Sequence, residues 1–88
     1  MLKVSPFLYL ITANTEVTDS IGTYTFAIDV GGVCYEYNVN VTTDQVPTSG
    51  SQTIVLQLAN TPTNITLVNT SGVDVDVTNA QLNVVQIA

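Results

Sequence analysis

The sequence predicts an all-β protein, a small antiparallel β-sandwich of the immunoglobulin-like or jelly-roll type with about seven or eight short strands. Two observations carry this prediction. Turn-forming residues recur about every 8–12 residues between apolar segments that alternate with period two. No segment repeats its apolar residues with the period of a helix. The chain has 88 residues, which predicts a single domain spanning residues 1–88.

The clearest element is a β-hairpin over Gly22–Thr43, with its turn at Gly31-Gly32. A two-residue turn fixes the register of the two arms. One face of the hairpin is then aromatic and aliphatic, with the pairs Val30–Val33, Ile28–Tyr35, Phe26–Tyr37 and Tyr24–Val39. The other face is mainly polar, with the pairs Asp29–Cys34, Ala27–Glu36, Thr25–Asn38 and Thr23–Asn40.

The first strand is predicted within Leu2–Ala13, and we expect a strand here rather than a signal peptide. Pro6 cannot donate a ladder hydrogen bond, so it marks an edge, a bulge or a break. Both faces of the segment after Pro6 are apolar, with Phe7, Tyr9 and Ile11 on one face and Leu8 and Leu10 on the other. Such a strand either crosses the interior of the domain or is covered on its outer side by a neighbouring chain.

The remaining elements follow from turn signals. We expect a polar turn with a short strand between Asn14 and Ile21, and a long loop over Thr43–Gln52 that is rich in small polar residues. Further strands are predicted at residues 53–59, 64–69, 73–77 and 82–87, separated by turns at 60–63, 70–72 and Asn79-Ala80. In residues 53–59, Ile54, Leu56 and Leu58 are expected to point inward and Val55 and Gln57 outward.

The last strand has two alternating sets of apolar residues that are out of phase. Leu82 and Val84 share one face, whereas Val85 and Ile87 belong to the other. We therefore expect either a β-bulge near Val84 or a strand that is buried on both faces.

Charge excludes two classes of partner. The chain has one basic residue, Lys3, against seven acidic residues, for a net charge of −6. Nucleic acids and anionic membranes are bound by several basic side chains, so neither is an expected partner. Charged residues make up 9% of the chain, well below the usual ~25%, and Thr, Asn, Ser and Gln must cover the surface. Such a surface suits packing against neighbouring subunits because few charges lose their hydration there.

Catalytic chemistry finds little support in the sequence, and we expect no enzyme and no cofactor. There is no His, so Ser-His and Cys-His pairs cannot form, and the single Cys34 cannot make an internal disulfide. Asp29 with Glu36, or Asp74 with Asp76, could pair as catalytic carboxylates. Asp74 and Asp76 could also bind calcium, but no loop has the ligand spacing of a calcium site. Solvated carboxylates are the favoured interpretation, so no metal site is assigned.

In style, the whole chain resembles small all-β accessory proteins of virus and bacteriophage particles, of the head decoration or cement type. The features that carry the resemblance are a short chain beginning at Met1, sandwich patterning, a charge-poor surface rich in Thr and Asn, and no catalytic residues. It implies a non-enzymatic structural protein on the capsid surface that binds neighbouring subunits and stabilises the shell. It also implies a homo-oligomer, often a trimer in such proteins.

The expected contacts with other subunits lie in three segments. The predicted interaction surface comprises Phe7, Leu8, Tyr9, Leu10, Ile11, Val46, Pro47, Val85 and Ile87. Two other functions are left open. One is an extracellular or cell-surface adhesive module that binds carbohydrate on the Thr/Asn face of the hairpin. The other is a subunit of a tail, fibre or pilus-like polymer in which the N-terminal segment donates a strand.

Overall fold

The computed structural model of the protein describes residues 7–58 and 62–88. Six β-strands and no helix occur in these residues: β1 (Leu8–Val17), β2 (Gly22–Val30), β3 (Val33–Val41), β4 (Thr48–Gln57), β5 (Ile65–Asn69) and β6 (Val77–Gln86). This part of the chain therefore contains no helix of the length and apolarity needed to cross a membrane. The predicted all-β class is confirmed.

The strands form two antiparallel sheets of three strands each. The strand order is β4-β1-β6 in the first, here called the β1 sheet, and β3-β2-β5 in the second, the β2 sheet. The inner faces of the two sheets meet in one core, which is the arrangement of a small β-sandwich. In the central strands, β1 and β2, successive side chains point alternately into the core and to the outer face.

The hairpin is confirmed pair by pair. β2 and β3 pair in the predicted register, from Gly22 opposite Val41 to Val30 opposite Val33. Gly31 and Gly32 have φ values of 57° and 95°, a region that glycine occupies without strain. The alternation along both arms was sufficient to predict this register because a two-residue turn leaves only one way to pair them.

The core is built from both sheets. Its buried apolar residues are Ile11, Ala13, Val17, Phe26, Ile28, Val30, Tyr37, Val39 and Val41. Within it, the hydroxyl groups of Thr15 and Tyr37 are 2.6 Å apart and form a buried hydrogen bond between the sheets. This bond satisfies two polar groups that burial would otherwise destabilise.

The two sides of the sandwich are closed to different degrees. On one side β3 lies over β4, and the Cα of Gly50 faces the backbone of β3 so closely that a Cβ there would overlap Asn38 O. On the other side β5 and β6 stand apart. A cleft of about 260 Å³ opens between them, lined by Thr15, Phe26, Leu67, Val68, Asn69, Val77 and Ala80. The sandwich is thus closed along β3 and β4 and open along β5 and β6.

Several predicted boundaries were wrong. The predicted loop over Thr43–Gln52 ends early, because β4 begins at Thr48 and pairs with β1 as far as Val17. The residues predicted to turn at Asn79-Ala80 lie inside β6, opposite Glu16 and Thr15. The predicted strand at residues 73–77 is mostly a connection, and only its last residue, Val77, belongs to a strand. Pairing with β1 overrides the local turn signals at Thr48–Gln52 and at Asn79-Ala80, and the described residues contain six strands instead of the predicted seven or eight.

Neither explanation offered for the last strand holds. The register of β6 against β1 is regular at Val84, and its one shift lies at Glu16/Val17. Both faces of β6 are accessible, since Val84 is 43% and Val85 53% exposed. The predictions for residues 2–6, including the role of Pro6, and for residues 59–61 lie outside the described part of the chain.

One carboxylate links the connections at one end of the sandwich. Asp19 accepts hydrogen bonds from the backbone N–H groups of Ser20 (2.7 Å) and Asp76 (2.9 Å), and its own carbonyl accepts from Gln45 N–H. The hydrogen bond from Asp76, followed by that from Ser20, lowers the pKa of the Asp19 carboxyl below its ordinary value. Asp19 thereby joins the β1–β2, β3–β4 and β5–β6 connections.

Candidate interaction surface

The outer face of the β1 sheet carries a cluster of apolar side chains at one end. Leu10 is opposite Val55 of β4 on one side and opposite Val85 of β6 on the other. Leu8 follows on the same face of β1, and Ile87 lies beside it, with its N–H donating to Leu8 O (2.8 Å). We call this cluster the apolar patch: Leu8, Leu10, Val55, Val85 and Ile87.

The apolar patch is open to solvent. Val55 and Val85 are each 53% exposed and Ile87 is 50% exposed, while Leu8 and Leu10 are half-buried. Tyr9 and Ile11 point toward the core. Because successive side chains of a strand point to opposite faces, Leu8 and Leu10 point away from it. A contiguous apolar cluster on the outside of a sheet is typical of a surface that another molecule covers.

The rest of this outer face is polar but almost uncharged. Beyond the patch, the rows across the sheet are Thr53–Thr12–Asn83, Ser51–Asn14–Gln81 and Ser49–Glu16–Asn79. Glu16 is the single carboxylate among them, and it accepts a hydrogen bond from Thr78 Oγ1 at 2.8 Å. The face therefore combines an apolar end with uncharged hydrogen-bonding groups. A partner that covers this face has to remove water from few charged groups.

The structure brings some of the predicted surface residues together and separates others. Leu8, Leu10, Val85 and Ile87 meet in the apolar patch. Tyr9 packs against the core, and Ile11 is fully buried in it, so neither belongs to the outer face. Phe7 precedes β1, and its carbonyl accepts a hydrogen bond from Leu58 N–H at 2.9 Å.

Val46 and Pro47 lie in a different place. Both are exposed, but they precede β4 at the end where Thr48 pairs with Val17. Leu10 lies seven residues from Val17 along β1, which corresponds to about 23 Å of strand. These two residues therefore do not extend the apolar patch.

Val55 is the residue of the patch that sequence reasoning did not assign to the interaction surface. The alternation in residues 53–59 placed it on an outward face, and that prediction is confirmed. Its proximity to Leu10 depends on the pairing of β4 with β1, which the sequence does not reveal. An apolar residue at an outward-facing strand position was the available signal.

The polar face of the hairpin is occupied by internal hydrogen bonds. Thr23 Oγ1 donates to Asn40 Oδ1 at 3.0 Å. Thr25 Oγ1 accepts from Thr70 Oγ1 at 3.1 Å, and the Thr25 carbonyl accepts from Thr70 N–H at 2.9 Å. These bonds stabilise the hairpin and the turn after β5, so much of this face serves the fold.

One of the candidate catalytic carboxylates, Asp29, also has a structural partner. Asp29 Oδ1 accepts from Gly32 N–H at 2.8 Å and closes the hairpin turn. The thiol of Cys34 lies 3.8 Å from Asp29 Oδ2. Desolvation, followed by the negative charge of Asp29, raises the pKa of this thiol, which disfavours the reactive thiolate. In residues 7–58 and 62–88, no three potential metal-ligating side chains come together.

Comparisons with protein-family models, with curated proteins and with solved structures found no match to this chain.

Proposed function

We propose that this chain is a non-enzymatic structural protein of a large assembly and attaches to its neighbours through the apolar patch. The observation that supports this most directly is the outward-facing row Val55–Leu10–Val85, which residues 7–58 and 62–88 leave partly exposed. The exposed half of the Val55 and Val85 side chains contributes no apolar burial to the fold of the single chain. A neighbouring subunit that covers them removes apolar surface from water.

The assembly we favour is a virus or bacteriophage particle, with the chain as a decoration protein on the capsid surface. The stylistic resemblance of the sequence to such proteins supports this choice. So does the composition of the outer face, where one carboxylate, Glu16, accompanies many Thr, Ser, Asn and Gln side chains. In a docked complex the apolar patch forms the dry centre of the contact, and the polar rows form a hydrogen-bonded rim.

The patch is large enough for two of its residues to have a measurable effect. Complete burial of one valine side chain contributes about 1.5–3 kcal/mol, and Val55 and Val85 are each 53% exposed before docking. Covering the exposed half of both contributes about 1.5–3 kcal/mol in total. Because about 1.4 kcal/mol corresponds to a tenfold change in affinity, replacement of both by serine weakens attachment at least tenfold.

The experiment compares this double variant with a matched one. Val55→Ser/Val85→Ser removes two exposed valines inside the patch, and Val33→Ser/Val73→Ser removes two outside it that are 57% and 60% exposed. The amount of each variant retained on particles from the native source is measured by gradient sedimentation. We expect loss of retention for the first variant alone. Equal retention of both variants, with the fold intact by circular dichroism, would exclude the patch as the contact.

A further inference from the structure

β6 is the strand with the least cover in this part of the molecule. It pairs with β1 on one edge, and in the described residues no strand pairs with its other edge. All ten of its residues except Leu82 are exposed. Even Val77 and Val84, on the face turned toward the β2 sheet, are 42% and 43% exposed, because β5 stands away from them across the open cleft.

The second edge of β6 lacks, within residues 7–58 and 62–88, the features that protect edge strands from pairing. Its sequence, VTNAQLNVVQ, contains no charged residue and no proline. The register shift against β1 lies at its first residue, opposite Glu16/Val17, so the remainder is regular. A long, regular and uncharged edge presents a row of backbone donors and acceptors to another strand.

The charges along this edge allow a second copy to occupy it. The chain is acidic, and copies of a protein with a net charge of −6 repel each other where carboxylates face one another. β1, β2 and β3 each contain one carboxylate, whereas β5 and β6 contain none. β4 is also uncharged, but it lies beneath β3, and its Gln52 side chain donates to the carbonyl of Glu36. β6 itself therefore adds no like charge to a contact between two copies, and the carboxylates nearest to it in sequence, Asp74 and Asp76, precede its first residue.

We propose that β6 pairs in antiparallel fashion with β6 of a second copy about a twofold axis. The two β1 sheets then form one continuous six-stranded sheet. A strand of this length spans about 33 Å, and two such strands with their flanking side chains bury about 1,000–1,300 Å² in total. This area reaches the lower limit of a stable protein interface.

This inference does not rest on the proposed function, because it uses the edge of the β1 sheet and not its outer face. The twofold axis runs perpendicular to the sheet, so both apolar patches lie on the same face, one at each end. A dimer of this kind engages an assembly at two points at once, which strengthens attachment without any new contact.

The experiment uses charge substitutions close to the twofold axis. Gln81 is exposed and lies at the middle of β6, so its counterpart in the second copy is a near neighbour. Gln81→Glu and Gln81→Lys each place like charges across the axis, and each is expected to raise the dimer dissociation constant about tenfold in analytical ultracentrifugation at low salt. A mixture of the two variants pairs opposite charges and is expected to restore association.

The control makes the same substitutions on the other edge of the sheet. Gln57 is an exposed residue of β4, and Gln57→Glu and Gln57→Lys should leave the dissociation constant unchanged. A chain that stays monomeric up to its solubility limit would overturn the inference, as would equal losses at Gln57 and Gln81. Mixed Gln81 variants that fail to associate would also overturn it. A monomer that still cosediments with particles would refute the dimer and leave the proposed function standing.

Discussion

Gly50→Ala provides the most informative test of how the two sheets pack. Gly50 lies on the inner face of β4, opposite Thr15 of β1, where β3 crosses above it. A Cβ at this position would lie 2.8 Å from Val39 Cγ2 and 3.2 Å from the Asn38 carbonyl carbon, and it would overlap the Asn38 carbonyl oxygen. Non-bonded carbon atoms prefer about 3.5 Å or more, so the contact with Val39 Cγ2 alone would push β3 outward by about 0.7 Å, and the closer overlap with the Asn38 carbonyl oxygen requires more.

This displacement has a calculable effect on stability. Overpacking of a core costs about 1–3 kcal/mol, and the upper end applies because the obstructing group is backbone, which cannot rotate away. Replacing glycine within a strand recovers about 0.5–1 kcal/mol, which leaves a net loss of about 2 kcal/mol. For a domain of this size, that loss lowers the melting temperature by about 8–16 °C.

Thermal and urea unfolding, followed by circular dichroism, measure the effect of Gly50→Ala. The matched control is Ser51→Ala, the next residue along β4, which points outward and is exposed. Its free energy of unfolding should stay within about 0.5 kcal/mol of the original protein. If Gly50→Ala is as stable as Ser51→Ala, β3 does not lie against β4 at the distance described, and the closed side of the sandwich is wrong.

Three further predictions concern individual polar contacts. Thr15→Val or Tyr37→Phe alone should destabilise the protein by about 1–3 kcal/mol, because each leaves a buried hydroxyl unpaired, whereas the double variant should lose less than the sum in urea unfolding. Additive losses would exclude the bond. The lowered pKa of Asp19 means that its charge stabilises the fold above its ordinary pKa of 3.8 and that this contribution is lost as pH falls through the folded-state pKa. Asp19→Asn should therefore destabilise the protein at neutral pH, with the difference from the original protein shrinking at low pH; a difference independent of pH would contradict this. Asp29→Asn should lower the pKa of Cys34 and speed its reaction with a thiol reagent at mildly alkaline pH, and an unchanged rate would show that the carboxylate does not act on the thiol.

The sequence was sufficient for elements whose register is determined locally. In the hairpin, the two glycines and the alternation of both arms leave one possible pairing, and every pair was predicted correctly. Alternation also separated Leu8 and Leu10 from Tyr9 and Ile11, but it did not show which of the two apolar faces the core covers. Each of these predictions depends only on residues that are close in sequence to the residue concerned.

Elements that depend on distant partners were not predictable. Thr48–Gly50 resembles a loop by composition, yet pairing with β1 makes it strand, and Gly50 is required by the close approach of β3. Asn79 and Ala80 likewise resemble a turn by composition, although pairing with β1 makes them part of β6. The sequence identified only part of the apolar patch. Val55 lies beside Leu10 because β4 pairs with β1, and the sequence does not reveal this pairing.

Sedimentation of material from the native source, with quantification of this chain by mass spectrometry across the gradient, tests its assignment to a large assembly most directly. A structural subunit attached through the apolar patch should travel with a particle of megadalton mass at a fixed ratio to the major shell protein. The ratio should persist through a second gradient, because a specific contact of this kind dissociates slowly. A chain found only at the top of the gradient, as a free monomer or dimer, would contradict the proposed structural role.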